Sequence, residues 1–129
     1  YFKTFVRGLQ AARVVGSVVV SYLGLMHRPD FAAELADILI RLEGTRVALC
    51  TGYHDLNMYL SLRASDPDLD AGRLIQEIII PEGRAGGHGM IAGGRVPLEG
   101  LTPDDVAFEI ERRFLTAMGE NPRDAEQLL

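Results

Sequence analysis

The segment that decides the fold is Gly83–Arg95, with the sequence Gly-Arg-Ala-Gly-Gly-His-Gly-Met-Ile-Ala-Gly-Gly-Arg. Six of its thirteen residues are glycine, and none is acidic. Glycine is favoured where the backbone takes a positive φ or where another group approaches it closely. Consecutive N–H groups in such a turn attract anions, and a helix beginning at or just after His88 would add to that attraction. The segment therefore predicts a loop that binds an anion such as phosphate, with a plain flexible turn as the commoner alternative.

The bulk properties are those of one globular domain. The chain has 129 residues, 47% of them hydrophobic, and a net charge of −5. An acidic domain does not hold nucleic acid by bulk electrostatics, so any phosphate contact must come from a local site. Arginine, which supplies all the basic residues except Lys3, suits such a site because it grips an oxyanion with two parallel hydrogen bonds.

Cysteine content and hydropathy bear on the location of the protein. Cys50 is the one cysteine, so no disulfide forms within the chain, and a buried thiol in a cytoplasmic protein is expected. The longest apolar stretch, Val14 to Met26, is too short for a membrane span. The chain begins at Tyr1, in a helical pattern, and we expect it to be a piece of a longer protein.

Hydrophobic periodicity predicts an α/β fold, a single domain in which helices flank a small mixed sheet. We expect residues 1–12 to end a linker helix, residues 13–119 to form the domain, and residues 120–129 to be a weakly structured tail. Within the domain, the predicted order is strand, helix, strand, strand, helix, glycine loop, strand and helix. The predicted ranges are 13–23, 30–42, 45–53, 58–63, 71–80, 83–95, 96–98 and 103–118.

Arg63 is the second candidate for an anion site. It ends a predicted strand just before a helix, a usual ligand position in α/β sheets. One helix separates it from the glycine segment, so both can reach one edge of the sheet. Without the glycine segment, Arg63 would be interpreted as an ordinary solvated charge. The pair His54-Asp55 is more typical of a turn than of a metal site. Tyr53 and Tyr59 are more typical of packing residues in a hairpin than of residues that stack on bases.

Together these segments resemble a known family. Gly86-Gly87-His88-Gly89-Met90-Ile91-Ala92-Gly93, preceded by Ser61-Leu62-Arg63, is similar to the C-terminal domain of the Asp-His-His (DHH) phosphoesterases. That superfamily includes RecJ-type exonucleases, oligoribonucleases and exopolyphosphatase-related proteins. The resemblance covers about Arg13 to Arg95 and assigns residues 13–119 to the DHH-associated domain of the first subtype.

The resemblance implies a substrate-binding role. Arg63 would clamp a phosphate, His88 would donate a hydrogen bond to it, and Gly86 and Gly87 would offer backbone N–H groups, while Ser65 matches only loosely. It implies no catalytic and no metal-binding residue in this chain. Divalent ions, of the manganese type, would lie in an N-terminal catalytic domain, which would be the partner of this one.

The chain departs from the family pattern at three positions. Ala85 replaces the first glycine of a triplet, which requires a negative φ there. Ala64 replaces a serine, and Ile91 replaces the first of two alanines.

The leading hypothesis is the substrate-binding part of a metal-dependent hydrolase that acts on short oligonucleotides or nucleotide phosphates. Whether the chain counts as an enzyme is open, because we do not expect it to be catalytic alone. A non-catalytic phosphate or nucleic-acid sensor and a structural interaction domain are the alternatives. The substrate and the oligomeric state, a homodimer included, stay open.

Overall fold

The computed structural model describes residues 1–129 and confirms a single α/β domain with a mixed sheet. The chain forms four α-helices and seven strands, and the first three helices are each followed by a pair of strands. They are α1 (Phe2–Ala11), β1 (Arg13–Val15), β2 (Val18–Leu25), α2 (Phe31–Leu39), β3 (Val47–His54), β4 (Asn57–Ala64), α3 (Ala71–Ile78), β5 (Arg84–His88), β6 (Ile91–Pro97), α4 (Pro103–Met118) and β7 (Ala125–Gln127). Short 3₁₀ turns at Pro67–Leu69 and Pro122–Asp124 complete the chain.

All seven strands join one sheet in the order β5-β6-β4-β3-β2-β1-β7. Only β2 and β3 are parallel, and α2 makes the crossover that a parallel pair needs. All other neighbours are antiparallel. The glycine-rich strands β5 and β6 therefore lie at one edge of the sheet, and the C-terminal strand β7 forms the other.

Each face of the sheet has its own hydrophobic core. Apolar residues of β4, such as Leu60 and Leu62, pack under α3 and α4 on one face. On the other face α1 and α2 cover β2, β3 and part of β4. Cys50 is fully buried in this second core, and burial raises the pKa of its thiol well above its ordinary value, as expected for a structural cysteine.

The first predicted strand, 13–23, is in fact a hairpin. It turns at Gly16, whose φ is +58°, between β1 and β2. The carboxylate of Glu120 accepts hydrogen bonds from the backbone N–H and the hydroxyl of Ser17, at 2.9 and 2.6 Å, which lower its pKa. The tail that follows is ordered as well, because β7 pairs with β1.

Helix ends follow their local signals. Asp70 caps α3 by accepting a hydrogen bond from the N–H of Arg73 at 3.2 Å. Thr102 and Pro103 open α4, and Gly119 closes it with a φ of +68°. No helix in the chain is long and apolar enough to span a membrane.

The glycine segment forms a β-hairpin rather than the predicted loop. β5 and β6 pair in antiparallel fashion, and Gly89 and Met90 make the two-residue turn between them. Gly89 has a φ of +60°, the backbone that short hairpin turns require. No helix begins at His88. The short strand predicted at 96–98 is the end of the longer strand β6.

Candidate phosphate-binding face

One face of the sheet edge formed by β4, β6 and β5 is left without a helix over its outer part. Residues directly paired across neighbouring strands share a face, and alternate residues along a strand do too. The register therefore places nine residues on this surface, which we call the open face. They form three cross-strand rows: Arg63–Ile91–His88, Ser61–Gly93–Gly86 and Tyr59–Arg95–Arg84.

The first row brings the two principal predicted residues together. Arg63 pairs with Ile91, and Ile91 pairs with His88. Neighbouring strands are about 4.8 Å apart, so the backbones of Arg63 and His88 are separated by roughly 10 Å. Long side chains can converge across that distance on one anion. Ile91 lies between them and is 58% exposed.

Arg63 is held in place by three hydrogen bonds. Its Nε donates to Oδ1 of Asp37, on α2, at 2.6 Å. Its Nη1 donates to the carbonyls of Leu62 at 3.0 Å and Ala92 at 3.4 Å. The side chain is only 12% exposed. These bonds occupy Nε and Nη1 and leave Nη2 for an incoming ligand.

Glycine makes the middle row flat. A Cβ built on Gly86 would meet nothing within 4 Å, and one on Gly93 would meet only the Leu60 carbonyl, at 3.5 Å. Ser61 ends this row and is buried. We call Gly86, Gly93 and Ser61 the glycine trough. It offers a ligand direct access to the backbone.

Gly87 has a different role from Gly86, because it lies on the opposite face. A Cβ there would come within 2.4 Å of the Ile91 carbonyl and 2.5 Å of Ala92 Cα. Strand N–H groups also lie in the plane of the sheet, toward the neighbouring strand or, at an edge, toward solvent. The predicted N–H donors of Gly86 and Gly87 therefore point along the sheet rather than out of the open face.

The start of α3 packs against the hairpin on the side away from the open face. The N–H of Ala71 donates to the Gly89 carbonyl at 2.8 Å, and Asp70 occupies the N–H of Arg73. A Cβ on Gly72 would lie 2.0 Å from the Gly87 carbonyl, so no larger residue fits there. This helix end therefore supports the hairpin, and two of its N–H groups are already occupied.

The third row adds two arginines that the sequence analysis left without a role. Arg84 and Arg95 are paired directly across β5 and β6, both are exposed, and neither forms a salt bridge. Tyr59 is in this row and is half-buried, whereas Tyr53 lies on the opposite face. The open face thus carries three arginines and a histidine, and none of its nine residues is acidic.

The family model described as the DHHA1 domain matches residues 16–108, most of the chain. The chain belongs to the DHHA1 family. A curated relative, an uncharacterized protein of Methanocaldococcus jannaschii, is 26% identical over 85 residues. These residues are 66% of this chain but only 17% of that relative, so the DHHA1 chain spans about one sixth of its length.

Solved structures share the fold of this DHHA1 domain. An exopolyphosphatase-related protein from Bacteroides fragilis matches with a TM-score of 0.66 and 15% identity, over 89% of this chain and 34% of that one. The C-Ala domain of alanyl-tRNA synthetase from Aquifex aeolicus matches with a TM-score of 0.58 and 20% identity, over 80% of this chain and 97% of that one. At these identities the likeness establishes the fold alone.

The structure accommodates two of the three departures from the family pattern, Ala85 and Ala64. Ala85 has no positive φ, and it packs against the core under α3, so the alanine costs nothing in backbone strain. Ala64 is buried in the same core, where a serine hydroxyl would not face a ligand. Ser65 is exposed just past β4, outside the three rows, and its backbone N–H donates to the Arg46 carbonyl at 2.8 Å.

The side chains of this DHHA1 domain do not fit a metal centre. No three His, Cys, Asp or Glu residues come together in the chain. His54 and Asp55, which the sequence analysis assigned to a turn rather than to a metal site, have side chains 3.5 Å apart, and His54 Nδ1 is 3.0 Å from the Met26 carbonyl. This pair lies at the β3–β4 turn, away from Arg63 and His88.

The sequence analysis gave Arg84, Arg95 and Gly93 no role, although a two-residue turn in the glycine segment would have indicated one. In a hairpin with a two-residue turn at Gly89-Met90, Arg84 faces Arg95 and Gly86 faces Gly93 by symmetry about the turn. Recognising the hairpin would therefore have placed all four on one face with His88. Nothing in the sequence marks Asp37, because its partner Arg63 is 26 residues away.

Proposed function

We propose that this DHHA1 domain is the substrate-binding C-terminal part of a metal-dependent DHH-type phosphoesterase that acts on oligonucleotides or nucleotide phosphates. The observation that carries the proposal is the first row of the open face. Arg63 and His88, which the family resemblance selects for phosphate contact, share a face and a cross-strand row beside a trough in which two of the three residues are glycine.

The chemistry of the row suits a phosphate monoester or diester. Arg63 is anchored through Nε and Nη1 and presents Nη2, so little side-chain entropy is lost when an anion binds. His88 is exposed and can donate from its ring. Asp37 repels an anion slightly but fixes the orientation of the guanidinium.

The hydrolytic step would belong to a separate catalytic domain with divalent ions, of the manganese type, since this chain has no fitting ligand cluster. When bound, such ions lower the pKa of an attacking water. The role of the present residues is to bind and orient the phosphate against that centre.

Binding measurements on site variants test the proposal. The protein is titrated with a 5′-phosphorylated dinucleotide and with a nucleoside 3′,5′-bisphosphate, comparing wild type with Arg63→Ala, Arg63→Lys and His88→Ala. A lost charge-assisted contact costs about 1.5–3 kcal/mol, which is roughly tenfold to hundredfold in Kd. Arg63→Lys keeps the positive charge but loses the paired N–H donors of the guanidinium, so its Kd should lie between those of wild type and Arg63→Ala.

A matched control is Arg123→Ala. Arg123 is exposed and forms no salt bridge, but it precedes β7, at the far edge of the sheet. The control should bind as wild type does. Equal binding by wild type, Arg63→Ala and His88→Ala would reject the assigned site.

A second candidate is a non-catalytic phosphate or nucleic-acid module. The match to the C-Ala domain of an alanyl-tRNA synthetase covers 97% of that domain, so the same fold occurs outside the phosphoesterases and does not by itself imply hydrolysis. Both candidates predict the same binding results. They differ in whether the full-length protein, supplied with manganese, releases mononucleotides from the dinucleotide, which the phosphoesterase predicts and the sensor does not.

A further inference from the structure

Arg84 and Arg95 form a second concentration of positive charge on the open face. They lie directly opposite each other on β5 and β6, and no carboxylate neutralises either one. Like charges in directly opposed positions destabilise a sheet. In a chain with a net charge of −5 and eighteen acidic residues, an unneutralised arginine pair is a costly arrangement that a bound anion would relieve.

The position of the pair relates it to the first row. Along a strand, alternate residues are about 6.8 Å apart, so each basic row lies about 7 Å from the glycine trough and the two basic rows lie about 14 Å from each other. Arg63 and His88 border the trough at one side, and Arg84 and Arg95 border it at the other. Because Gly86 and Gly93 carry no side chains, an extended chain can cross the trough and touch both rows.

We infer that Arg84 and Arg95 form a second anion subsite, so that the open face binds a substrate with at least two phosphates in an extended chain. The inference rests on the proposed function, because the first phosphate is the one held by Arg63 and His88. It narrows the substrate to an extended chain that carries several phosphates, such as an oligonucleotide, and disfavours a mononucleotide. The half-buried Tyr59, in the same row, lies where a base or sugar beside the second phosphate can contact it.

The test compares ligand lengths. A 5′-mononucleotide and a 5′-phosphorylated tetranucleotide are titrated into wild type, the double variant Arg84→Gln/Arg95→Gln, Arg63→Ala, and the control Arg123→Gln. Glutamine keeps the side-chain length and removes the charge, and thermal melting checks that each variant folds. Each titration is repeated at several salt concentrations.

We expect the tetranucleotide to bind wild type at least tenfold more tightly than the mononucleotide. The double variant should lose most of this gain while it keeps mononucleotide affinity within about twofold. The slope of log Kd against log salt should fall by roughly 0.7, because the double variant loses the one single-strand phosphate contact at the second subsite. Arg123→Gln should change neither quantity.

Two results would overturn the inference. One is a wild type that does not prefer the tetranucleotide, and the other is a double variant that binds it like wild type with an unchanged salt slope. If Arg63→Ala still binds the ligands more weakly than wild type in either case, only the second subsite is rejected and the first phosphate site stands. Failure of the proposed function is distinct, because Arg63→Ala would then bind both ligands as wild type does.

Discussion

Gly86 and Gly87 are adjacent in β5 but should respond to substitution in opposite ways. In Gly86→Val the new side chain enters the glycine trough, where a Cβ meets nothing within 4 Å. In Gly87→Ala a single methyl group is forced against backbone atoms of β6, at 2.4 Å from the Ile91 carbonyl and 2.5 Å from Ala92 Cα. The first change should therefore affect binding, and the second should affect folding.

The magnitudes follow from these environments. Gly86 has no positive φ, so valine fits the strand, and the loss of glycine stabilises the fold by about 0.5–1 kcal/mol. Gly87→Ala overpacks the hairpin and should cost about 1–3 kcal/mol. Filling the trough should remove at least one phosphate contact and raise Kd by roughly tenfold to hundredfold.

Urea unfolding and phosphate-ligand titration of both variants measure these effects. Gly86→Val should unfold at the same or higher urea concentration than wild type and bind a 5′-phosphorylated dinucleotide weakly. Gly87→Ala should unfold at clearly lower urea. If Gly86→Val binds the dinucleotide like wild type, no ligand crosses the trough. If it is strongly destabilised, the open face is not free.

Three further substitutions probe the surroundings of the open face. Asp37→Asn removes a charge but keeps an acceptor for Arg63, so we expect the Kd for phosphate ligands, measured by calorimetry, to fall roughly twofold to fivefold, as screened repulsion across several ångströms predicts. If Asp37→Asn instead binds phosphate ligands more weakly than wild type, the negative charge of Asp37 is needed to orient the Arg63 guanidinium. Gly72→Ala forces a Cβ to within 2.0 Å of the Gly87 carbonyl and should cost about 1–3 kcal/mol in urea unfolding, and an unchanged midpoint would contradict the close packing of α3 on the hairpin. On α4, two arginines lower the pKa of Glu109 to about 2 from an ordinary 4.5, so its carboxylate stabilises the fold above about pH 4.5, and that contribution disappears as the pH falls toward about 2. Glu109→Gln should flatten this part of the stability profile measured by unfolding at pH 6, 4 and 3, and an identical pH dependence in the variant would refute the assignment.

Elements with complete local signals were predicted well. For α3 the sequence holds a capping aspartate at Asp70 and an apolar stripe, and for α4 it holds Thr102-Pro103 at the start and Gly119 at the end. Each of these signals acts within a few residues, so it does not depend on the remainder of the chain. The α/β class follows from the same periodicities.

Features that depend on distant pairing were not predicted. The tail has few apolar residues, and β7 exists only because β1 offers an edge more than 100 residues earlier in the chain. The glycine segment has only one of the β-branched residues that mark strands, Ile91, and its β structure depends on β4 and on the packing of Gly72 against Gly87. In both segments, tertiary contacts produce strands that the local composition does not favour.

The candidate site was predicted in part. The resemblance to DHH-associated domains selected Arg63 and His88, and the register brings them into one row. Ser65 lies outside the rows. The structure was needed to find that Asp37 anchors Arg63 and that Arg84 pairs with Arg95. It was also needed to show that Gly86 and Gly87 lie on opposite faces of the sheet. Each of these features depends on which face a residue occupies.

The most direct test of the central claim, that phosphate binds on the open face, is a map of backbone amide chemical shifts during titration with a 5′-phosphorylated dinucleotide. The account predicts that the largest changes fall on Arg63, Gly86, His88, Gly93 and Arg95, and that residues at the β7 edge, such as Arg123, stay unchanged. Saturable changes centred on the β7 edge or on α4, with the open face silent, would contradict it.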